Sequence, residues 1–264
     1  MGVLIGRDRE IGLIRNHIKE MKSFHIYGPE GVGKTALLEY VYSNWNYFQT
    51  PLVPILCRTS RTLREILIHI AGYLLYSSHT LQNIDKFKRI KEIRHRSDLK
   101  TINSRDLKNI IFRNISSRRF CIILDHLEHV TPKINAFLTP LKDVAMIITA
   151  SRQSWELTDY NFKGKLSYCL YLVPKLKVTN LSKRNAYLLM EYLYKNLPMS
   201  IRNKSQLFKE IFYITEGNPG MMREIFEKAQ RHEYVKGDML NLKLIQIDCQ
   251  MDKINTLRPT CGMK

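Results

Sequence analysis

Eight consecutive residues, Gly28-Pro29-Glu30-Gly31-Val32-Gly33-Lys34-Thr35, constrain this chain more than any other stretch. They fit G-x-x-x-x-G-K-[ST] and lie between an apolar run that reads as a strand, Phe24–Tyr27, and a helical pattern beginning Lys34-Thr35-Ala36. Glycine at these places lets the backbone wrap so that successive N–H groups point inward at a phosphate, aided by the positive end of the helix. In such a loop Lys34 reaches the β- and γ-oxygens of a nucleoside triphosphate, and the Thr35 hydroxyl ligates Mg2+. Average composition yields the pattern by chance in about one chain of this length per hundred, and correct flanks lower that further. Every residue from Gly28 to Ala36 is therefore a candidate phosphate contact: Gly28, Pro29, Glu30, Gly31, Val32, Gly33, Lys34, Thr35 and Ala36.

The rest of the sequence fits an α/β unit around that loop. Strand-like runs occur at Phe24–Tyr27, Leu52–Cys57, Phe120–Leu124, Val144–Thr149 and Tyr168–Val173, with helical patterns between most of them. Such alternation predicts a parallel sheet, here a three-layer core over residues 1–175. After residue 176 strands disappear and the pattern is helical over Lys183–Lys195, Lys204–Thr215 and Met221–Arg231, which predicts a small α-helical lid over 176–250. Residues 251–264 read as an irregular, flexible tail.

An acid at the end of a neighbouring strand is the second requirement of the chemistry, and Cys121-Ile122-Ile123-Leu124-Asp125 supplies it. Asp125 is assigned to Mg2+ through water. No other metal is indicated: the five cysteines form no C-x-x-C pair, and His126 and His129 lack H-E-x-x-H spacing.

With these residues in hand the chain resembles the P-loop ATPases of the AAA+/STAND group over most of residues 3–235. Leu4-Ile5-Gly6-Arg7-Asp8-Arg9-Glu10 is similar to the hydrophobic-G-R-x-x-E segment that precedes the P-loop in STAND and origin-initiator ATPases; the resemblance places Gly6 and Arg7 near the adenine. The segment Ile122 to His129 resembles a Walker B strand, Met146 to Arg152 a sensor 1 strand, and Gly217-Asn218-Pro219 the G-x-P motif of STAND proteins. Gly220-Met221-Met222-Arg223 is similar to the sensor 2 pattern G-x-x-R. The resemblance implies ATP and Mg2+ as cofactors, Pro219 as a nucleotide contact, and Lys34, Mg2+, Arg152 and Arg223 as groups that together offset charge on the γ-phosphate, with Asp125 holding the Mg2+ through water.

Two departures bear on turnover. The acid that usually follows the Walker B Asp is His126 here, so Glu128 becomes the candidate general base. No arginine lies between Arg152 and Arg184, where an arginine finger is expected; Lys163, Lys165 or Arg152 stand as substitutes. Slow or partner-dependent hydrolysis follows.

Forty-two Lys and Arg against 24 Asp and Glu leave a net charge of +18, more than solubility needs, and point to a polyanionic partner. Half of it sits between Lys86 and Arg119, where twelve basic residues face three acidic ones. Lys88, Arg89, Lys91, Arg94, Arg96, Lys100 and Arg105 are the candidate contacts to duplex DNA, through phosphates and without sequence preference. Two functions remain open: an ATPase that forms a homo-oligomeric ring or filament with ATP and acts on DNA in transposition-target selection or replication, with a protein client; or a STAND-type nucleotide-gated switch working through protein contacts. No stretch is apolar over a bilayer's width and no export signal is seen, so a cytoplasmic protein with no membrane partner is expected.

Overall fold

The computed structural model describes residues 4–76, 96–115, 119–155, 169–197, 203–236 and 239–257. They form two compact units. One comprises residues 8–29 and 34–178, the other the N-terminal residues to Arg7, Glu30–Gly33 and the chain from Thr179 onward.

In the first unit five parallel strands make one sheet: β1 (Phe24–Tyr27), β2 (Val53–Cys57), β3 (Phe120–Leu124), β4 (Met146–Ser151) and β5 (Lys175–Lys177), in the order β2-β3-β4-β1-β5. All residues of β3 and β4 are buried, which is why both read as continuous apolar runs rather than alternations. Ile122 and Leu124 face a core built with α3 (Leu63–Tyr76), α4 (Ser104–Asn114) and α5 (Pro132–Val144), through Ile66, Ile70, Ile111 and Phe137 among others. Cys121 and Ile123 alternate to the opposite face and are equally buried. Helices α1 (Asp8–Lys19) and α2 (Lys34–Ser43) bury Ile14, Ile18, Leu37, Leu38 and Val41 in this unit. The result is the three-layer α/β core that the alternation predicts. Burying each large side chain contributes about 1.5–3 kcal/mol.

Both sheet edges are blunted. Pro54, which has no N–H to offer, is tolerated because β2 is an edge strand. At the other edge β5 is three residues long, with Leu176 buried between Lys175 and Lys177. Here the structure differs from the expectation of a strand at Tyr168–Val173: Cys169–Leu172 is a 3-10 turn and the strand lies beyond Pro174, whose carbonyl accepts the His25 N–H. A short apolar run fits either conformation, and the charged Lys-Leu-Lys triplet is the true edge signature.

In the second unit α6 (Lys183–Tyr194), α7 (Lys204–Thr215), α8 (Pro219–Lys228) and α9 (Leu242–Leu257) enclose Leu189, Met190, Phe208, Ile211, Met222, Phe226 and Ile245. Phe208 meets Tyr187, Tyr194 and Phe226 edge-on. Ser182, Asn203 and Asn218 cap their helices by accepting an N–H three residues on. Strands do not vanish after residue 176: Val235–Lys236 (β6) and Met239–Leu240 (β7) form an antiparallel pair. Helix α9 continues to Leu257, through the part of the sequence read as tail.

One polar side chain lies at the centre of the sheet. The His25 imidazole is fully buried, with Nε2 at 2.8 Å from the Gln153 carbonyl and Nδ1 at 2.7 Å from Thr149 Oγ1. A carbonyl only accepts, so Nε2 carries the proton, and Nδ1 accepts from the Thr149 hydroxyl. Burial pushes the imidazole down to about 4; the Gln153 carbonyl opposes this, and Lys175 and Lys34 add to it. Because the unfolded chain binds this proton near pH 6.5 and the fold does not, the stabilisation is complete above pH 6.5 and is lost as pH falls toward 4. Urea unfolding at pH 5 should show about 2 kcal/mol less stability from this group than at pH 7.5. His25→Gln should lose that part of the slope; an identical pH dependence in the two proteins would remove His25 as its cause.

Candidate functional site

The C-terminal ends of β1, β3 and β4 lie side by side, and the motif residues of the first unit emerge there. After β1 the chain enters Gly28-Pro29, and α2 starts with Lys34 and Thr35. The Lys34 ammonium folds back over the loop and donates to the Gly28 and Pro29 carbonyls, at 2.7 and 2.8 Å. Asp125, at the end of β3, is 3% exposed and its N–H donates to the Cys57 carbonyl. The strand that carries this acid is not the immediate neighbour of β1, because β4 runs between them.

His126 closes that gap. Its backbone has φ +56°, and its Nε2 lies 3.4 Å from Thr35 Oγ1 and 3.6 Å from Asp125 Oδ2. The turn is held by the His126 N–H donating to Asp125 Oδ1 at 2.8 Å and the Leu127 N–H donating to the Ala150 carbonyl at 2.9 Å. The sequence marks His126 only as the residue standing where an acid usually follows the strand-terminal Asp, and gives it no role of its own.

Glu128 and Arg152 come together. Glu128 Oε2 accepts the Arg152 backbone N–H at 2.9 Å, and Oε1 lies 4.0 Å from Arg152 Nε. Arg152 is flanked by buried polar groups: Ser151 Oγ donates to the Gln153 carbonyl and accepts from Trp155 Nε1. The same Gln153 carbonyl receives His25, so the turn carrying Arg152 is tied to β1.

Within the second unit the loop segment Glu30–Gly33 is gripped by backbone. The Gly220 N–H donates to the Gly31 carbonyl at 2.8 Å, and Asn218 Nδ2 donates to the Glu30 carbonyl at 2.9 Å. Gly31 has φ +78°, and a Cβ there would meet Asn218 Oδ1 at 2.5 Å, so two independent reasons demand glycine. Pro219 lies 3.8 Å from where a Gly33 Cβ would stand. The Arg7 guanidinium is buried and turned to main chain, donating to the Val32 carbonyl at 2.6 Å and the Thr179 carbonyl at 2.8 Å. Gly6, with φ +68°, packs where a Cβ would strike Asn185. Asn218 was absent from the sequence-derived site, although an Asn before a Pro opening a helix is a capping signature. Arg223 is half-buried on α8.

Of the basic candidates, Lys88, Arg89, Lys91 and Arg94 lie outside the described residues, as does the Arg96 side chain. So do Lys163 and Lys165. Lys100 and Arg105 are exposed, on a 3-10 turn (Arg96–Lys100) and at the start of α4. The Lys100 and Ile102 carbonyls both accept from Arg64 of α3, which fixes this segment to the core.

No protein-family profile matches the chain, and no curated protein sequence resembles it. Solved structures match in shape. Orc1 of Aeropyrum pernix in complex with DNA aligns at a TM-score of 0.64 and 13% identity, over 98% of this chain and 70% of that one. A Walker-type ATPase of Pyrococcus abyssi aligns at 0.60 and 15%, over 96% and 76%. AMPPCP-bound DnaA of Aquifex aeolicus aligns at 0.55 and 11%, over 96% and 68%. The chain has the fold of AAA+ P-loop ATPases. The resemblance read from its motifs is thereby matched at the level of fold. Within the AAA+ fold, the glycine loop, the acid after β3 and the polar end of β4 all fall at the C-terminal edge of the sheet, where α/β sheets bind ligands.

The grip on Gly31 gives a test in which two effects oppose. Gly220→Ala should gain up to about 1 kcal/mol of helix propensity on α8. Its Cβ, however, would stand 2.7 Å from Gly31 Cα and 2.9 Å from Gly31 O, backbone atoms that cannot swing aside. Overpacking of this kind costs about 1–3 kcal/mol, so thermal unfolding should show a net loss of stability. A variant as stable as the parent would mean that α8 and Gly31 do not pack this closely.

Proposed function

We propose that the protein is an ATPase that binds Mg2+–ATP at the Gly28–Thr35 loop and acts on DNA. The observation that carries the nucleotide part is the convergence, at one sheet edge, of the loop lysine, the Thr35 hydroxyl and the buried Asp125. The donor set fits the group: a hydroxyl and a carboxylate are hard oxygen ligands suited to Mg2+, with Asp125 acting through water, and Lys34 is a point charge for phosphate oxygens. When bound, the cation would neutralise charge between the β- and γ-phosphates. Gly31 and Gly33 give the loop the left-handed turns that let N–H groups face an anion.

Hydrolysis is proposed to be slow. The position after Asp125 holds an imidazole, and the Glu128 carboxylate, the candidate base, is also occupied with the Arg152 N–H. Arg152, 58% exposed beside Glu128, is the cation proposed to meet developing charge on phosphate. Lys34→Ala should abolish measurable ATP binding in a calorimetric titration. Glu128→Gln should still bind ATP while turnover falls about 10²-fold or more, since the amide can accept the Arg152 N–H and cannot take a proton. An undiminished rate would leave Glu128 with the single task of holding the Arg152 turn.

The DNA part rests on charge, with half of +18 concentrated between Lys86 and Arg119. It is supported by a structural neighbour solved in complex with DNA. ATP-dependent self-association and a protein client belong to the same reading. Among the described residues no helix is long and apolar enough to cross a membrane. With about six phosphate contacts, affinity for a duplex should drop on the order of 10³-fold between roughly 50 and 200 mM salt. Reversing Arg94, Arg96 and Lys100 to Glu should flatten that slope and spare ATP binding. An unaltered slope would move the contact surface elsewhere. No duplex binding at low salt, with ATP-dependent association intact, is the result a protein-contact switch would give.

A further inference from the structure

His126 stands out at the candidate site because a costly backbone conformation is spent on an imidazole. A non-glycine residue at φ +56° gives up roughly 1–2 kcal/mol, and such strain persists where neighbouring contacts enforce it. The contacts are the bonds from the His126 and Leu127 N–H groups to Asp125 Oδ1 and the Ala150 carbonyl. Their effect is to return the ring toward α2, leaving Nε2 3.4 Å from Thr35 Oγ1 and 3.6 Å from Asp125 Oδ2.

As a hydrogen bond, 3.4 Å is at the weak limit. As a separation between two ligands of one cation it is ordinary: donors about 2.1 Å from a metal stand about 3.0 Å apart at a right angle and about 3.4 Å at the tetrahedral angle. The Thr35 hydroxyl and the His126 imidazole thus sit at ligand spacing, with an Asp125 carboxylate oxygen 3.6 Å from the same nitrogen. Among the described residues no three His, Cys, Asp or Glu side chains converge on a metal, so the cluster does not enclose an ion alone. Phosphate oxygens would have to supply the remaining corners, and the cation would arrive with the nucleotide.

We infer that His126 Nε2 joins the Thr35 hydroxyl as a direct protein ligand of the nucleotide-bound cation, beside Asp125 acting through water, and shifts its preference from Mg2+ toward Mn2+ or Co2+. The inference rests on the proposed nucleotide site. Magnesium takes oxygen ligands and keeps its waters, whereas imidazole nitrogen favours the later divalent metals in rising order from Mn2+ to Co2+. An imidazole that displaces a metal water therefore favours one class of cation and disfavours the other. The ring is 46% exposed.

ADP binding, titrated calorimetrically with Mg2+, Mn2+ or Co2+, tests this. The parent protein should bind ADP more tightly with Co2+ and Mn2+ than with Mg2+, on the order of tenfold, the scale on which a metal's surroundings change its affinity. His126→Gly relieves the strained φ and removes the nitrogen; the advantage of Co2+ and Mn2+ should collapse. His126→Asn, which also tolerates this backbone region, should rank the cations like His126→Gly. Pulsed electron paramagnetic resonance of the Mn2+–ADP complex should show coupling to a ligand nitrogen that changes with 15N-histidine labelling and vanishes in both variants. Equal cation rankings in all three proteins, or no label-dependent coupling in the parent, would overturn the inference while the nucleotide site stands. No ADP binding with any cation would overturn the nucleotide site and the inference with it.

Discussion

The polar edge of the sheet depends on one neutral imidazole at its centre. His25 sits on β1, which leads into the glycine loop, and its two nitrogens bond Thr149 on β4 and Gln153 beyond it. Apolar packing is non-directional and would allow β1 and β4 to slide against each other by fractions of an ångström. A fully satisfied buried pair of hydrogen bonds fixes the relative position of the loop and the Arg152 turn, at the cost of an interior that must exclude a proton. A lysine or a charged histidine could not serve there, since an uncompensated charge at zero exposure is far more costly than the bonds are worth.

Sheet order imposes the next requirement. With β4 between β1 and β3, the strands that carry the glycine loop and Asp125 are about 10 Å apart, twice the inter-strand spacing. A carboxylate side chain does not span that distance. Thr35, one residue into α2, and His126, just past β3, approach to 3.4 Å. An extended residue after Asp125 would carry its side chain to the opposite face of the sheet from that acid, whereas the left-handed turn at His126 leaves Nε2 3.6 Å from Asp125 Oδ2.

How much of this was legible in the sequence varies with the physics behind each element. Strands β3 and β4 were plain because both faces are covered and the runs are uniformly apolar. Helix α7 was placed to the residue because its stripe begins and ends at turn-forming residues. Strand β5 was missed because three residues bonded to one neighbour need almost no apolar content, while the more apolar Cys169–Leu172 forms a turn. The hairpin of β6 and β7 is shorter than any periodicity can register. At the candidate site, the loop was complete in the sequence because its function is carried by backbone and consecutive residues. The grip of Asn218 and Gly220 on Glu30 and Gly31 spans some 190 positions and leaves no local trace.

His126 shows why the failures of sequence reading gather where they do. Of the non-glycine residues described with positive φ, Met21, Gln49, Asn203 and Glu216 adjoin helix ends, where a left-handed residue satisfies free main-chain groups. His126 and Trp155 do not; both lie just past the buried ends of β3 and β4. After β3 the left-handed turn is held by the adjacent Asp125 carboxylate and, through the Leu127 N–H, by the Ala150 carbonyl of the neighbouring strand; at Trp155 the indole N–H bonds Ser151 four residues back. Conflict between local and global preference is a net cost to folding, so it survives only where position is worth more than stability. At Trp155 it seats an indole against the Ser151 hydroxyl that also fixes Gln153 and, through that carbonyl, His25. At His126 it brings an imidazole nitrogen to 3.4 Å from the Thr35 hydroxyl and 3.6 Å from the buried Asp125 carboxylate, which ties the turn after β3 to the start of α2.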